Sequence, residues 1–303
     1  MKAKVVKSIR ALAGRLLTPP PRYAGTKVLN RLGLQFLRIA WCNAIYHLYK
    51  WPRGTSVLEP YASAFRRDGA VIVPDFLPEE AYRELKSAYD AAKQSARFVS
   101  LDPAGEQYKG KPGKVGKARV EMRDHPELAK IVDRYFLQSA RLKALGSIAA
   151  RRTIKRFKTP VVFIHKIVNP DGIDFGPVSS FHYDAIYPSV KMFYYLSDID
   201  TGNGAFTYAK GSHKMTLPRL AYEYKKSNVW ASYQAINPEL ETDEEGYGFD
   251  NPTADEMRDL SITPSPMVAP ANSIVLFNTM GFHKRGAFCD SRPREMLEIS
   301  YRA

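Results

Sequence analysis

The period of the apolar residues changes twice along this chain, dividing it into three stretches. In the first, Val5, Ile9, Leu12 and Leu16 recur at helical spacing, with Lys4, Lys7, Arg10 and Arg15 largely at other angles. That is the pattern of a short basic amphipathic helix, which Pro19, Pro20 and Pro21 end. A second helical stretch over about 27–50 carries Leu32, Phe36, Ile39, Trp41, Ile45, Leu48 and Tyr49. Its uncharged interval, 39–49, is far too short to span a bilayer. In the middle stretch, 70–74 reads as a short strand, and Pro78-Glu79-Glu80 opens a helix to about residue 92, with acidic residues in its first turn. Residues 98–118 are rich in Gly and Lys and read as a mobile loop, and helices follow at about 126–137 and 139–156. Beyond residue 160 the apolar runs are short and bounded by turn residues, as in an all-β barrel or sandwich. The expected strands are 161–168, 179–185, 191–196, 204–208, 273–278, 284–288 and 295–301. An insertion over about 215–265, with helical pieces near 217–226 and 253–259, interrupts them. A connection this long inside a compact domain is usually functional or disordered.

Composition is compatible with that division. With 303 residues, 45% of them hydrophobic, the chain can bury a sizeable core. Cys42 and Cys289 are far apart and lack ligand-like spacing, so they read as free thiols of a reducing compartment. The segment 110–118 superficially resembles a phosphate-binding loop. It has one residue too many between its glycines and Ala118 where Ser or Thr is required, which rejects it.

Charge changes the picture more. The net charge is +14, yet residues 1–55 hold eleven Lys and Arg and no Asp or Glu, while the other 248 residues hold 34 basic and 31 acidic groups. The basicity therefore belongs to an N-terminal extension, 1–55, and the body is 56–303. Such an extension fits a helix lying on an anionic membrane surface or a basic surface meeting an anionic substrate. Packing of the helices on the body, with their lysines in water, is the competing arrangement. No zinc-ligand spacing or RNA-binding aromatic motif accompanies the charge, so no nucleic acid is expected. A secretory signal is not expected either, since Arg15 interrupts the first apolar run.

The candidate chemistry centres on His182-Tyr183-Asp184. Residues spaced i, i+2 on a strand share a face, so His182 and Asp184 can hold one metal while Tyr183 faces away. A second histidine from a distant strand, His283, completes two imidazoles and one carboxylate on one side of an ion. That set leaves positions open and suits non-haem Fe(II). His182-Tyr-Asp is followed by Lys191-Met-Phe-Tyr-Tyr-Leu-Ser-Asp-Ile-Asp, Asn203-Gly204-Ala205-Phe206 and Gly211-Ser212-His213-Lys214. Then come Asn272-Ser-Ile-Val-Leu-Phe, Phe282-His283 and Arg292-Pro293-Arg294. In order and spacing these resemble the phytanoyl-CoA dioxygenase family of Fe(II)/2-oxoglutarate oxygenases, closely over about 160–302 and loosely over 60–100.

The resemblance implies an α+β chain whose core is a double-stranded β-helix (jelly-roll, cupin-like) with supporting helices, and the 215–265 insertion as its lid. It implies His182, Asp184 and His283 as iron ligands. Arg294, eleven residues after His283, matches the arginine that holds the distal carboxylate of 2-oxoglutarate, a task suited to its planar fork. Arg292 competes for that role, but Pro293 suggests that the strand proper begins after it. Phe193 falls where some members carry a tryptophan near the cosubstrate and is read as a pocket wall. His165 and Lys166 lie in an apolar strand, so one of them should face inward, and Lys166 is a candidate to meet a cofactor or substrate carboxylate. His213 reads as a structural turn residue. Arg285 stands where the family often has a small hydroxyl residue, so that contact is not transferred.

The implied cofactors are Fe(II) and 2-oxoglutarate, with O2 as cosubstrate and ascorbate in support. The implied reaction is hydroxylation of a C–H bond with release of succinate and CO2. Asp184 argues against halogenation, because halogenases on this scaffold replace the carboxylate by a small residue. The substrate expected is a small-molecule, acyl or lipid-linked compound, anionic if the basic extension meets it. The expected setting is the cytoplasm, peripherally at a membrane surface. The rival readings are a non-catalytic binding or regulatory protein on the same fold and a metal-dependent hydrolase.

Overall fold

A computed structural model describes residues 23, 25–48, 58–99, 115–150, 153–157, 160–167, 180–187, 189–236 and 251–301. The amphipathic stretch before residue 18 and most of the Gly/Lys-rich segment lie outside the described residues.

The first helices among the described residues are α1 (Lys27–Arg31) and α2 (Leu34–Leu48), separated at Gly33, whose φ of +91° suits glycine. There follow α3 (Glu59–Asp68), β1 (Ala70–Val73), α4 (Glu79–Ala92), β2 (Arg97–Val99), β3 (Val115–Val120), α5 (Pro126–Val132) and α6 (Ala140–Ala150). The β-rich part holds β4 (Val161–Ile167), β5 (Val190–Tyr195), β6 (Phe206–Ala209), β7 (Pro264–Pro266), β8 (Ile274–Asn278), β9 (His283–Arg285) and β10 (Arg294–Tyr301). Between β6 and β7 lie helices α7 (Leu217–Ile236) and α8 (Ala254–Asp259). Strands pair in a seven-stranded sheet, β1-β8-β5-β10-β4-β3-β2, and a three-stranded sheet, β7-β6-β9, with antiparallel neighbours throughout.

Strand β5 shows why the sheets stack. Val190, Met192 and Tyr194 join a core with Leu85, Tyr89, Leu128, Phe136, Leu142 and Leu145 from the helices. Phe193 and Tyr195, one position out of phase, join a second core with Phe206, Tyr208, Phe277 and Met296. The large sheet is therefore apolar on both faces, covered by helices on one and by the small sheet on the other. Each fully buried side chain of this size contributes about 1.5–3 kcal/mol, so both layers are held firmly.

Several expectations are corrected. Residues 179–185 form no strand where described; they meet the sheet only through a bridge between His182 and His283. The end of the expected mobile loop forms β3, which pairs with both β2 and β4. The helical piece expected near 217–226 is a 20-residue helix, and 237–250 lie outside the described residues. The helices from Lys27 onward pack on the body: Ile39 is buried against Tyr183, Tyr222 and Phe282, and the Tyr23 and Tyr183 hydroxyls are 2.8 Å apart.

Candidate active site

The two histidines are brought together by the backbone. His182 N–H donates to His283 O (3.0 Å), His283 N–H donates to His182 O (2.8 Å), and Asp184 N–H donates to Thr279 O (2.9 Å). The His182 segment, though not a strand, is thus laid against the end of β9, and the two imidazole centroids stand 4.5 Å apart. Each ring is oriented in the same way. Nδ1 of His182 donates to Ser180 O (2.9 Å) and Nδ1 of His283 donates to Gly281 O (2.8 Å). A carbonyl only accepts, so Nδ1 carries the proton and Nε2 offers its lone pair to a metal. Nε2 of His283 is 3.6 Å and Nε2 of His182 is 4.0 Å from Asp184 Oδ1. One ligand atom from each of the three residues falls within 4.8 Å of the others. Two neutral imidazoles and a carboxylate on one side fit Fe(II) with open positions opposite.

Lys191, on β5, reaches Asp184: its Nζ is 2.8 Å from Oδ2. Burial acts to raise the Asp184 carboxyl's pKa, but the Lys191 ammonium and, when they carry a proton in place of a metal, the two imidazoles outweigh it and hold the group well below the usual carboxylate range. Oδ2 is engaged by the lysine, which leaves Oδ1, on the histidine side, as the donor for a metal. Sequence reasoning missed Lys191. The available signal was its alternation with Phe193 and Tyr195, which gives all three one face of β5.

Arg294 opens β10 and is buried, its Nη1 donating to Gly204 O at 2.5 Å. Gly204 has φ +77°, and a Cβ there would strike the Phe288 ring, so the Asn203-Gly204 turn needs glycine. Asn203 fixes that turn, accepting from Asp200 N–H and donating to Asp198 O. Desolvation brings the Arg294 guanidinium down to about 10, with Tyr195 opposing the shift and neighbouring Arg285 adding to it. It is still a cation at neutral pH. Arg285 is itself buried, two residues beyond His283 on β9 and in register with Phe206. Two buried cations side by side repel, and a carboxylate received beside them offsets that repulsion. Arg285 is the second residue that sequence reasoning left without a role.

The structure separates the remaining candidates. The exposed Arg292 is held by Asp200 and Asp290 (2.8 and 2.6 Å), so it is turned to the surface, away from Arg294. Phe193 is buried at 5.2 Å from Phe206 and 4.9 Å from Phe277, rings that also contact His283. The register places position 165 opposite Arg294 and position 166 opposite Gly116. By strand alternation position 165 shares the face of Arg294 and position 166 does not; neither side chain is among those described. His213 lies beside Gly69.

Behind the ligands, Tyr183 donates to Glu223 (2.7 Å), which accepts from buried Arg219 (2.8 Å). Arg219 also donates to Ser212 O and Met280 O and lies over the Tyr183 and Phe282 rings. The first part of the expected lid, helix α7, is therefore bolted to the neighbours of the ligand residues, on the side turned away from the metal.

A jelly-roll sheet pair presenting His-x-Asp and a distant histidine defines a non-haem metal-dependent oxygenase architecture. Residues 65–289 match the family model for phytanoyl-CoA dioxygenase (PhyH), and the chain belongs to that family, the Fe(II)/2-oxoglutarate-dependent oxygenases. No curated protein matches it. Among solved structures, it is similar to the epimerase SnoN in complex with Fe3+, alpha ketoglutarate and nogalamycin RO (15% identity, 81% of this chain and 83% of that one, TM-score 0.53). It is also similar to EctD from S. alaskensis with bound Fe (13% identity, 84% and 80%, TM-score 0.51). A third is AviO1 from Streptomyces viridochromogenes Tue57 (15% identity, 83% and 97%, TM-score 0.50). At these identities the likeness is one of fold. No described helix is long and apolar enough to cross a membrane.

Proposed function

We propose that the chain hydroxylates an unactivated C–H bond of a small-molecule, acyl or lipid-linked substrate, with His182, Asp184 and His283 holding Fe(II). The observation that carries this reading is the shared orientation of the two imidazoles. Both commit Nδ1 to a backbone carbonyl and turn Nε2 toward the oxygen of Asp184 that Lys191 leaves to a metal. When bound, iron supplies the activation of O2 that couples oxidative decarboxylation of 2-oxoglutarate to substrate oxidation.

The protein's own groups do the rest. Arg294 receives the distal carboxylate of 2-oxoglutarate, with Arg285 adding a second positive charge on that side. Phe193, Phe206 and Phe277 form the apolar wall that keeps water from the reacting centre. Lys191 orients Asp184. Retention of Asp184 favours hydroxylation over halogenation, while epimerisation is the activity in the name of the similar SnoN.

The reading is tested by O2-dependent succinate formation with Fe(II) and 2-oxoglutarate. Comparing metabolites of a deletion strain with its parent identifies the substrate. A compound that accumulates in the deletion strain and gains one oxygen when treated with the enzyme is the expected result. Turnover supported by Zn(II) without O2 would instead establish a hydrolase.

A further inference from the structure

Helix α2 is inverted for a helix on the surface of a water-soluble protein. Its buried side carries Gln35, Arg38, Ile39 and Cys42, with Arg38 Nη1 donating to Gln35 Oε1 at 2.9 Å. Its exposed side carries Leu37, Ala40, Trp41 and Ala44, with Phe36 at the edge stacked on Tyr224 of α7, positions that recur as one helical face. None of these five is charged or polar, and Leu37 and Trp41 are 69% and 46% exposed. The preceding α1 and its turn add Val28, Leu29 and Leu32, the last 77% exposed. A scattered exposed leucine is ordinary, whereas consecutive exposed apolar residues on one helical hairpin mark a surface that meets something apolar.

The charge around this face narrows what that is. On the described hairpin Lys27 and Arg31 are exposed on α1 and no residue is acidic, and the sequence of residues 1–55 holds no Asp or Glu. A second copy of the chain would bring the same positive field against itself, which works against a symmetric dimer. An anionic lipid surface is complementary in both respects, taking the apolar side chains at the acyl boundary and the basic ones among the headgroups. Tryptophan is favoured at that depth.

We infer that the α1–α2 hairpin is a peripheral docking face for an anionic membrane, seated on it through Leu32, Leu37 and Trp41. The face also has a route to the active site. Ile39, on the opposite side of α2, packs in one cluster with Phe181, Tyr183 and Phe282, residues adjacent in sequence to His182 and His283. Docking therefore places the oxygenase core at the lipid surface with the metal-bearing segments one side-chain layer behind the hairpin. It deepens the lipid-linked substrate reading but does not depend on the iron chemistry.

The test uses the full chain and vesicles of phosphatidylcholine with and without phosphatidylglycerol. Co-sedimentation should require the anionic lipid, weaken with salt, and fall about tenfold or more in the double variant L37E/W41E. Melting temperature and substrate-free succinate formation should stay unchanged. In a Trp51→Phe/Trp230→Phe background, Trp41 emission should shift to the blue on binding and be quenched by brominated lipid. The inference is overturned if no partition to anionic vesicles occurs or if L37E/W41E leaves it intact. A concentration-dependent dimer that W41E splits would assign the face to a second copy. Emission of Trp41 already blue-shifted and shielded from acrylamide without lipid would assign it to another part of this chain. A protein that binds vesicles but lacks 2-oxoglutarate turnover would refute the oxygenase reading alone.

Discussion

Arg285 and Lys191 are the two residues that the structure adds to the expected site. A lysine held on the far oxygen of a metal-ligating carboxylate fixes which oxygen faces the ion. Lys191→Met should therefore weaken Fe(II) affinity about 10–100-fold, measured by anaerobic metal titration, with an unchanged KM for 2-oxoglutarate once iron saturates. Arg285→Ser should act on the cosubstrate instead. Losing one charge-assisted contact, worth about 1.5–3 kcal/mol, should raise the KM for 2-oxoglutarate about tenfold or more, with Fe(II) affinity little changed. If Arg285→Ser leaves that KM untouched, Arg285 faces substrate or structure and not the cosubstrate. His182, Asp184 and His283 could be singled out in the chain because their chemistry is carried by residue type and spacing, and the structure brings the three together; Arg294 was reached only through the family resemblance. Lys191 and Arg285 could not be singled out, since a lysine beginning a strand and an arginine after a histidine are compatible with a solvated edge. The structure shows where they turn: Arg285 is buried and Lys191 reaches Asp184.

Among the elements, the Asn203-Gly204 turn and the α7–α8 pair bear most on the site. Gly204→Ala forces a Cβ into a left-handed backbone, which costs about 1–2 kcal/mol before the Phe288 contact is added. It also displaces the carbonyl that receives Arg294. A lower melting temperature together with a raised KM for 2-oxoglutarate is expected, where a purely structural turn would lower the melting temperature alone. Helix α8 begins with a capping box, in which Thr253 and Glu256 satisfy each other's backbone N–H groups. Glu256 is also paired with Lys225 and Lys226 of α7 (2.8 and 3.0 Å). Burial acts to raise its pKa, but these partners prevail and bring it down to about 2. The unfolded value is about 4.3. The stability this group contributes is therefore complete above about pH 4.3 and is lost as pH falls toward about 2. Glu256→Gln should flatten the acid limb of stability between those values, as read by hydrogen exchange in α7 and α8.

Element boundaries show where sequence pattern ran short. Strand β8 was readable because Ile274-Val-Leu-Phe is an unbroken apolar run, and β5 and β10 because short, largely apolar runs lie between turn residues. Strand β3 was hidden by Gly116 and Lys117, which look like loop residues until two neighbouring strands satisfy their backbone. The His182 segment failed as a strand for the opposite reason: its residues alternate well, but its one β-bridge is to His283, and the bond from Asp184 N–H to Thr279 O does not extend it into a ladder.

On the scale of the whole molecule, two sheets enclose the site, helices cover the outer face of the larger sheet, and α7 with the α1–α2 hairpin backs the metal-bearing segments. A charge boundary near residue 55 set off an expected basic extension, whose helices from Lys27 onward pack on the body. Charge counts could not show that the extension's second helix hides Arg38 and exposes Trp41, because either orientation leaves the composition the same. All of these parts converge on one claim, that His182, Asp184 and His283 hold an iron ion to which 2-oxoglutarate binds. The most direct measurement is anaerobic addition of Fe(II) and 2-oxoglutarate to the metal-free protein, followed by visible absorption. The account expects a weak charge-transfer band that saturates at one iron per chain and is absent in a folded Asp184→Ala variant. No band in the unaltered protein, or the same band in Asp184→Ala, would contradict it.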